Sequence, residues 1–85
     1  MDFEQVTGLV RAVIVGLDGR LPSGDIESAW SLADAGEPGV ALELICTQAY
    51  EYDVSVPLVV FRQIVEAGKA MGLDAGLWEE LAVEQ

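Results

Sequence analysis

Histidine is absent from the 85-residue chain, cysteine occurs once, and Lys and Arg together number only four. Each shortage excludes something. With no histidine, and so none to activate the lone cysteine, nucleophilic catalysis of the Ser–His or Cys–His kind has no machinery. Cys46 forms no internal disulfide and no cysteine-based metal site. It stands between Ile45 and Thr47 in an apolar run, where a small buried thiol is expected. Four bases are too few to neutralise a phosphate backbone or an anionic lipid surface, so no direct contact with nucleic acid or membrane is expected. Long apolar runs are missing too. The stretch from Leu9 to Leu17 is broken by Arg11 and falls far short of the roughly 20 residues of a membrane span. The first ten residues hold two acids and no base, unlike a secretory leader. Cytoplasmic residence is the expectation.

What is present is apolar and acidic. Apolar residues make up 52% of the chain, too many for a disordered acidic tail, and fifteen acids give a net charge of −11. A chain this short builds one modest core, because it buries only roughly 60% of the surface that its unfolded form exposes. Residues 1–85 are therefore read as a single domain. Surplus acid is compatible with simple solubility; it also attracts basic surfaces and speeds association with them.

Turn-forming clusters divide the chain at Asp18–Gly24, Gly36–Gly39, Asp53–Pro57 and Gly72–Asp74. Between them the apolar residues recur with helical period. Phe3, Val6, Val10, Val13 and Leu17 share one face of a first helix, with Glu4, Thr7 and Arg11 on the wet side. Asp25 is the expected cap of a second helix, whose stripe is Ile26, Ala29, Trp30 and Ala33. A third helix is expected from about Pro38, which suits a first turn, to Tyr52, burying Ala41, Leu44, Ile45, Ala49 and Tyr52. A fourth runs from Val56 or Pro57 to Met71, capped by Ser55 and stopped by Gly72, on a stripe of Leu58, Phe61, Ile64, Val65 and Gly68. The valines from Val54 onward also suit a strand, but Pro57 argues against a central one, and the spacing of Arg62, Glu66 and Lys69 continues a helix. Asp74 caps a short last helix through Leu77, Trp78 and Leu81. The expected fold is all-α: a compact antiparallel bundle of four helices plus a short C-terminal helix.

Familiar chemistries are not matched. If Asp18 opened a calcium loop, Arg20 and Pro22 would fall where ligand oxygens belong, and Ala29 where the closing bidentate Glu belongs. No metal or cofactor is expected. Paired carboxylates of the glycosidase kind need a deep cleft, which a five-helix domain of this length rarely encloses, so no enzyme is expected either. An acyl carrier presents the serine of an Asp-Ser-Leu run, and Ser23, Ser28, Ser31 and Ser55 all lack that context.

One acid–aromatic constellation stands out. Helical spacing puts Glu43, Thr47, Tyr50 and Glu51 on one exposed face of the third helix, with Tyr52 toward the core and Asp53 just beyond. Carboxylates at a helix C-terminus oppose the helix dipole, and a local rule broken at the surface is where function often sits. Tyrosine is enriched at the centres of protein interfaces. The plainer alternative is that the tyrosines finish the core and the acids are solvated.

The run Gly36-Glu37-Pro38-Gly39-Val40-Ala41-Leu42-Glu43-Leu44, closing on Tyr50-Glu51-Tyr52-Asp53, resembles the central motif of the MafI family of bacterial immunity proteins. Lys69-Ala70-Met71-Gly72-Leu73-Asp74, followed by Trp78 and Leu81, is similar to that family's closing segment. The likeness covers about Asp34 to Leu81. It implies a cytosolic antidote bound tightly to the C-terminal domain of a cognate secreted polymorphic toxin. Charge adds that the toxin is basic, as a nuclease is where it holds phosphate. The expected partner-binding residues are Asp34, Glu37, Glu43, Tyr50, Glu51 and Asp53. The alternative function is an acidic helical adaptor or regulatory subunit of a housekeeping complex. Oligomeric state is left open, since two tryptophans and the apolar content suffice to cover a dimer face.

Overall fold

A computed structural model describes all residues, 1–85. Seven elements follow one another: α1 (Phe3–Leu17), α2 (Ser23–Asp34), α3 (Pro38–Glu51), β1 (Ser55–Pro57), α4 (Leu58–Ala70), α5 (Gly76–Glu79) and β2 (Ala82–Glu84). The chain is mostly helical, and a parallel pair of three-residue strands is added to the all-α expectation. No helix is long and apolar enough to cross a membrane.

Local chemistry starts and stops the helices. At α1, Asp2 Oδ1 accepts from Gln5 N at 2.8 Å and Gln5 Oε1 accepts from Asp2 N at 3.0 Å, a reciprocal capping box. α2 begins two residues before the expected cap. The Pro22 carbonyl takes Asp25 N and Ile26 N, so the turn nucleates at Pro22, and the Asp25 carboxylate is free to accept from Gln48 Nε2 on α3 at 3.2 Å. Helices α2, α3 and α4 end alike, in a residue of positive φ followed by a six-to-one backbone bond: Glu37 N to Leu32 O, Val54 N to Ala49 O, and Leu73 N to Gly68 O, each 2.9 Å. Gly36 and Gly72 hold that position in α2 and α4; Asp53, at φ 53°, holds it in α3.

Ser55 is not a helix cap. The residue before a proline is pushed out of the helical region, so Val56 is extended, and α4 begins only at Leu58. β1 pairs with β2 in the register Ser55–Ala82, Val56–Val83 and Pro57–Glu84. Pro57 is tolerated because a two-stranded sheet has no central strand. Arg20 ties the pair down: its Nη1 donates to the Ser55 carbonyl at 2.8 Å and to Glu84 Oε2 at 3.3 Å.

Nineteen buried residues drawn from α1 through Leu81 form one core. α1 packs chiefly on α4 and α2 chiefly on α3, α1 joins the two pairs, and α3 meets α4 only slightly. α5 lies against both α3 and α4. Its Trp78 covers Gly68, where a Cβ would overlap the indole.

Several expected faces are redrawn by this packing. Thr7, expected wet, is buried with its hydroxyl unpartnered, because α2 lies along that side of α1. Phe3, expected in the core, is 60% exposed in the first turn of α1. Tyr52 is exposed, since the chain reverses at Asp53 and folds Val54 back against the core in its place. Leu42 and Cys46 are buried beside the expected Ala41, Ile45 and Ala49, because α3 is covered by α2, α1 and α5.

Candidate functional site

The outward side of α3 is a continuous exposed stripe. Val40, Glu43, Thr47, Tyr50 and Glu51 are all exposed, as the spacing of the acid–aromatic constellation requires. Glu37, at the N-cap, is exposed as well and makes no side-chain cap bond. α3 has 14 residues and so spans about 21 Å.

At its C-terminal end the stripe meets the last segment of the chain. One depression is lined by Cys46, Thr47, Tyr50, Gly76, Leu77 and Glu80. A neighbouring one is lined by Ala49, Tyr50, Glu51, Asp53, Val54, Glu80 and Ala82. Tyr50 and Glu80 belong to both. The structure therefore gathers Tyr50, Glu51 and Asp53 round one spot and adds Glu80, which the sequence reading omitted. A signal for it existed: Trp78 and Leu81 are buried anchors three residues apart, which turns the intervening Glu79 and Glu80 outward.

Asp34 lies elsewhere. As the last residue of α2 it pairs with Arg11 Nη2 at 3.1 Å and lines a separate depression with Phe3, Thr7 and Ala33. Its charge is already met by a cation, so of the six expected residues it offers least to a basic partner. Both members of that pair are solvent-exposed, so the bridge adds little stability.

Asp53 is held in a conformation that glycine adopts freely and that L-residues adopt at a cost of roughly 1–2 kcal/mol, least for Asp and Asn. The same cap is made by Gly36 and Gly72 without that cost. An acid thus occupies the one left-handed cap that borders the acidic depression.

Cys46 lies under this surface. It is fully buried, and loss of hydration raises its thiol from 9.0 to about 12, so it is a neutral filler at any physiological pH. No three acid or thiol side chains converge in a way that could hold a metal ion.

Charge is divided between the two helix pairs. α1 with its cap Asp2 carries two acids and one base, and α4 carries one acid and two bases, so that pair is formally neutral. The other twelve acids and Arg20 carry the entire −11, on α2, α3, α5, the turns and the last strand. Comparison of the chain with protein-family models, with curated proteins and with solved structures finds no match.

Proposed function

We propose that the chain is an immunity protein, which binds the C-terminal domain of a cognate secreted toxin through the acidic stripe of α3 and the rim of α5. The observation that carries this reading is the uneven charge. Counted by element, the −11 resides outside α1 and α4, and the exposed Tyr50 lines two neighbouring depressions bordered by Glu51, Asp53 and Glu80. A basic catalytic site that grips phosphate is the complement of such a surface, and a nuclease domain has one. Charge steers the encounter, and an aromatic anchor seated between two depressions resists dissociation. The MafI-like run Gly36 to Asp53 supports the same reading, because it coincides with α3 and the turns at either end.

The test is co-expression in bacteria with the C-terminal domain of a secreted protein encoded immediately upstream, scored by growth and co-purification. The chain should restore growth. The Glu51→Lys/Glu80→Lys variant should not, although it keeps its helical signal; a cation at position 51 even suits the helix end by roughly 0.3–1 kcal/mol. Association should slow as salt rises, since charges farther apart than about 10 Å are screened at 0.1 M. Failure of the wild-type chain to relieve toxicity rejects the immunity reading. Full protection by the double variant rejects this surface.

A further inference from the structure

Tyr50 and Glu80 line both depressions at the end of α3, Tyr50 from the last turn of α3 and Glu80 from the C-cap of α5. The first depression has a volume of about 180 Å³. Pockets that enclose a cofactor or a drug-sized molecule run to roughly 300–1,000 Å³, so this one is of a size for a single side chain of a protein partner. Its shape is set before any partner arrives. Fully buried Cys46 lies beneath it, and buried Trp78, packed on Gly68, holds α5 beside α3. A slot already in shape costs little ordering on binding. Its lining is two-sided: Gly76 and Leu77 are apolar, whereas exposed Thr47, Tyr50 and Glu80 bring a hydroxyl, an aromatic ring and a carboxylate. No cation of the chain answers them. Arg11 pairs with Asp34, Arg20 pairs with Glu84, and Arg62 and Lys69 stand on α4. The side chains of Thr47, Tyr50 and Glu80 make no hydrogen bond within the chain.

We infer that this depression receives one arginine side chain of the toxin domain, with its methylenes along Gly76 and Leu77 and its guanidinium between the Tyr50 ring and the Glu80 carboxylate. The inference rests on the reading of the chain as an immunity protein. Charge selects a cation. The C-terminal end of α3 carries partial negative charge, and Glu51 and Asp53 line the neighbouring depression, so the field is negative on that side as well. Shape selects arginine over lysine. A guanidinium is planar and weakly hydrated, so it stacks on a ring and meets a carboxylate through two N–H groups at once. An ammonium is a compact, strongly hydrated point charge without that fork. An apolar side chain would strip water from Glu80 and leave its carboxylate unpaired. The apolar wall suits the long stem that an arginine carries behind its charge.

The test titrates the full chain against the toxin domain encoded immediately upstream and reads Kd by calorimetry. Tyr50→Leu and Glu80→Gln should each weaken binding about tenfold or more. Tyr50→Phe should cost less than about threefold, because the ring face is used and the hydroxyl is not. Both positions are exposed, so all three variants should keep the wild-type helical signal and melting temperature. In the toxin domain, one Arg→Lys substitution should cost about as much as Glu80→Gln does. In that background Glu80→Gln should cost almost nothing further, the mark of a direct pair. If the wild-type chain neither binds nor protects, the immunity reading fails and this inference fails with it. If the wild-type chain binds while Tyr50→Leu and Glu80→Gln both stay within about twofold of it, the slot is unused and this inference alone is overturned. Coupling of Glu80 to a lysine or an apolar residue of the toxin overturns it equally.

Discussion

Replacing Gly68 by alanine sets two effects of known sign against each other. Inside a helix, Gly→Ala gains about 1 kcal/mol of propensity. At Gly68 the new methyl would overlap Cζ3, Cη2 and Cε3 of Trp78, three atoms of one rigid ring. The ring cannot simply swing aside: it is 5% exposed, and burial of a whole indole is worth about 3–5 kcal/mol by the cost of Trp→Ala. The cheaper response moves α5 outward, and overpacking of this kind costs about 1–3 kcal/mol. Where the overlap involves several ring atoms the upper part of that range applies, leaving a net loss of about 1–2 kcal/mol, or about 4–16 °C in Tm for a domain of this size. Gly8→Ala is the control. It has the same chemistry and lies mid-helix, but its Cβ meets nothing within 4 Å, so it should gain up to about 1 kcal/mol. Urea and thermal unfolding followed by tryptophan emission measure both. In the Gly68→Ala background, Trp78→Leu should cost less than it does in the wild type, because the two sites share one space. Equal stabilisation by the two alanines would refute the tight indole–backbone contact. It would also remove the reason for α5 to hold Glu80 beside Tyr50.

Two further outcomes follow from the structure. Cys46 is protonated in both states below pH 9.0; above that the unfolded chain loses its proton while the folded one keeps it to about 12, so stability should fall by about 1.4 kcal/mol per pH unit across that window. Urea midpoints against pH should show a shallower decline for Cys46→Ala, and parallel curves would contradict the burial. Asp53→Gly should raise the unfolding free energy by up to about 1 kcal/mol by relieving the left-handed cap, whereas Gly72→Ala should lower it by a similar amount. If Asp53→Gly also weakens toxin binding, the acid trades stability for recognition; unchanged binding would remove Asp53 from the site.

What could be read along the chain was whatever depends on near neighbours. Apolar period placed the four main helices to within a few residues. Pro38 opens α3, Gly36 and Gly72 close α2 and α4, and Asp74 starts the α5 turn by accepting from Gly76 N at 2.8 Å. These are backbone effects spanning one turn, so residue types fix them. The exposed stripe Glu43, Thr47, Tyr50 and Glu51 was equally legible, because one helix and one wet side suffice to define it. Three-residue strands carry no period, so β1 and β2 exist only because α4 and α5 bring Ser55–Pro57 and Ala82–Glu84 side by side. Thr7 is buried and Phe3 is not, because a neighbouring helix covers one position and leaves the other bare. Glu80 lines the same depressions as Tyr50, and Asp34 pairs with Arg11 instead of joining the stripe, through packing of residues more than twenty positions apart. The balance of charge within that pair has the same origin: the total of −11 is a property of composition, but setting α1, at −1 with its cap Asp2, against α4, at +1, needed those two helices to find each other.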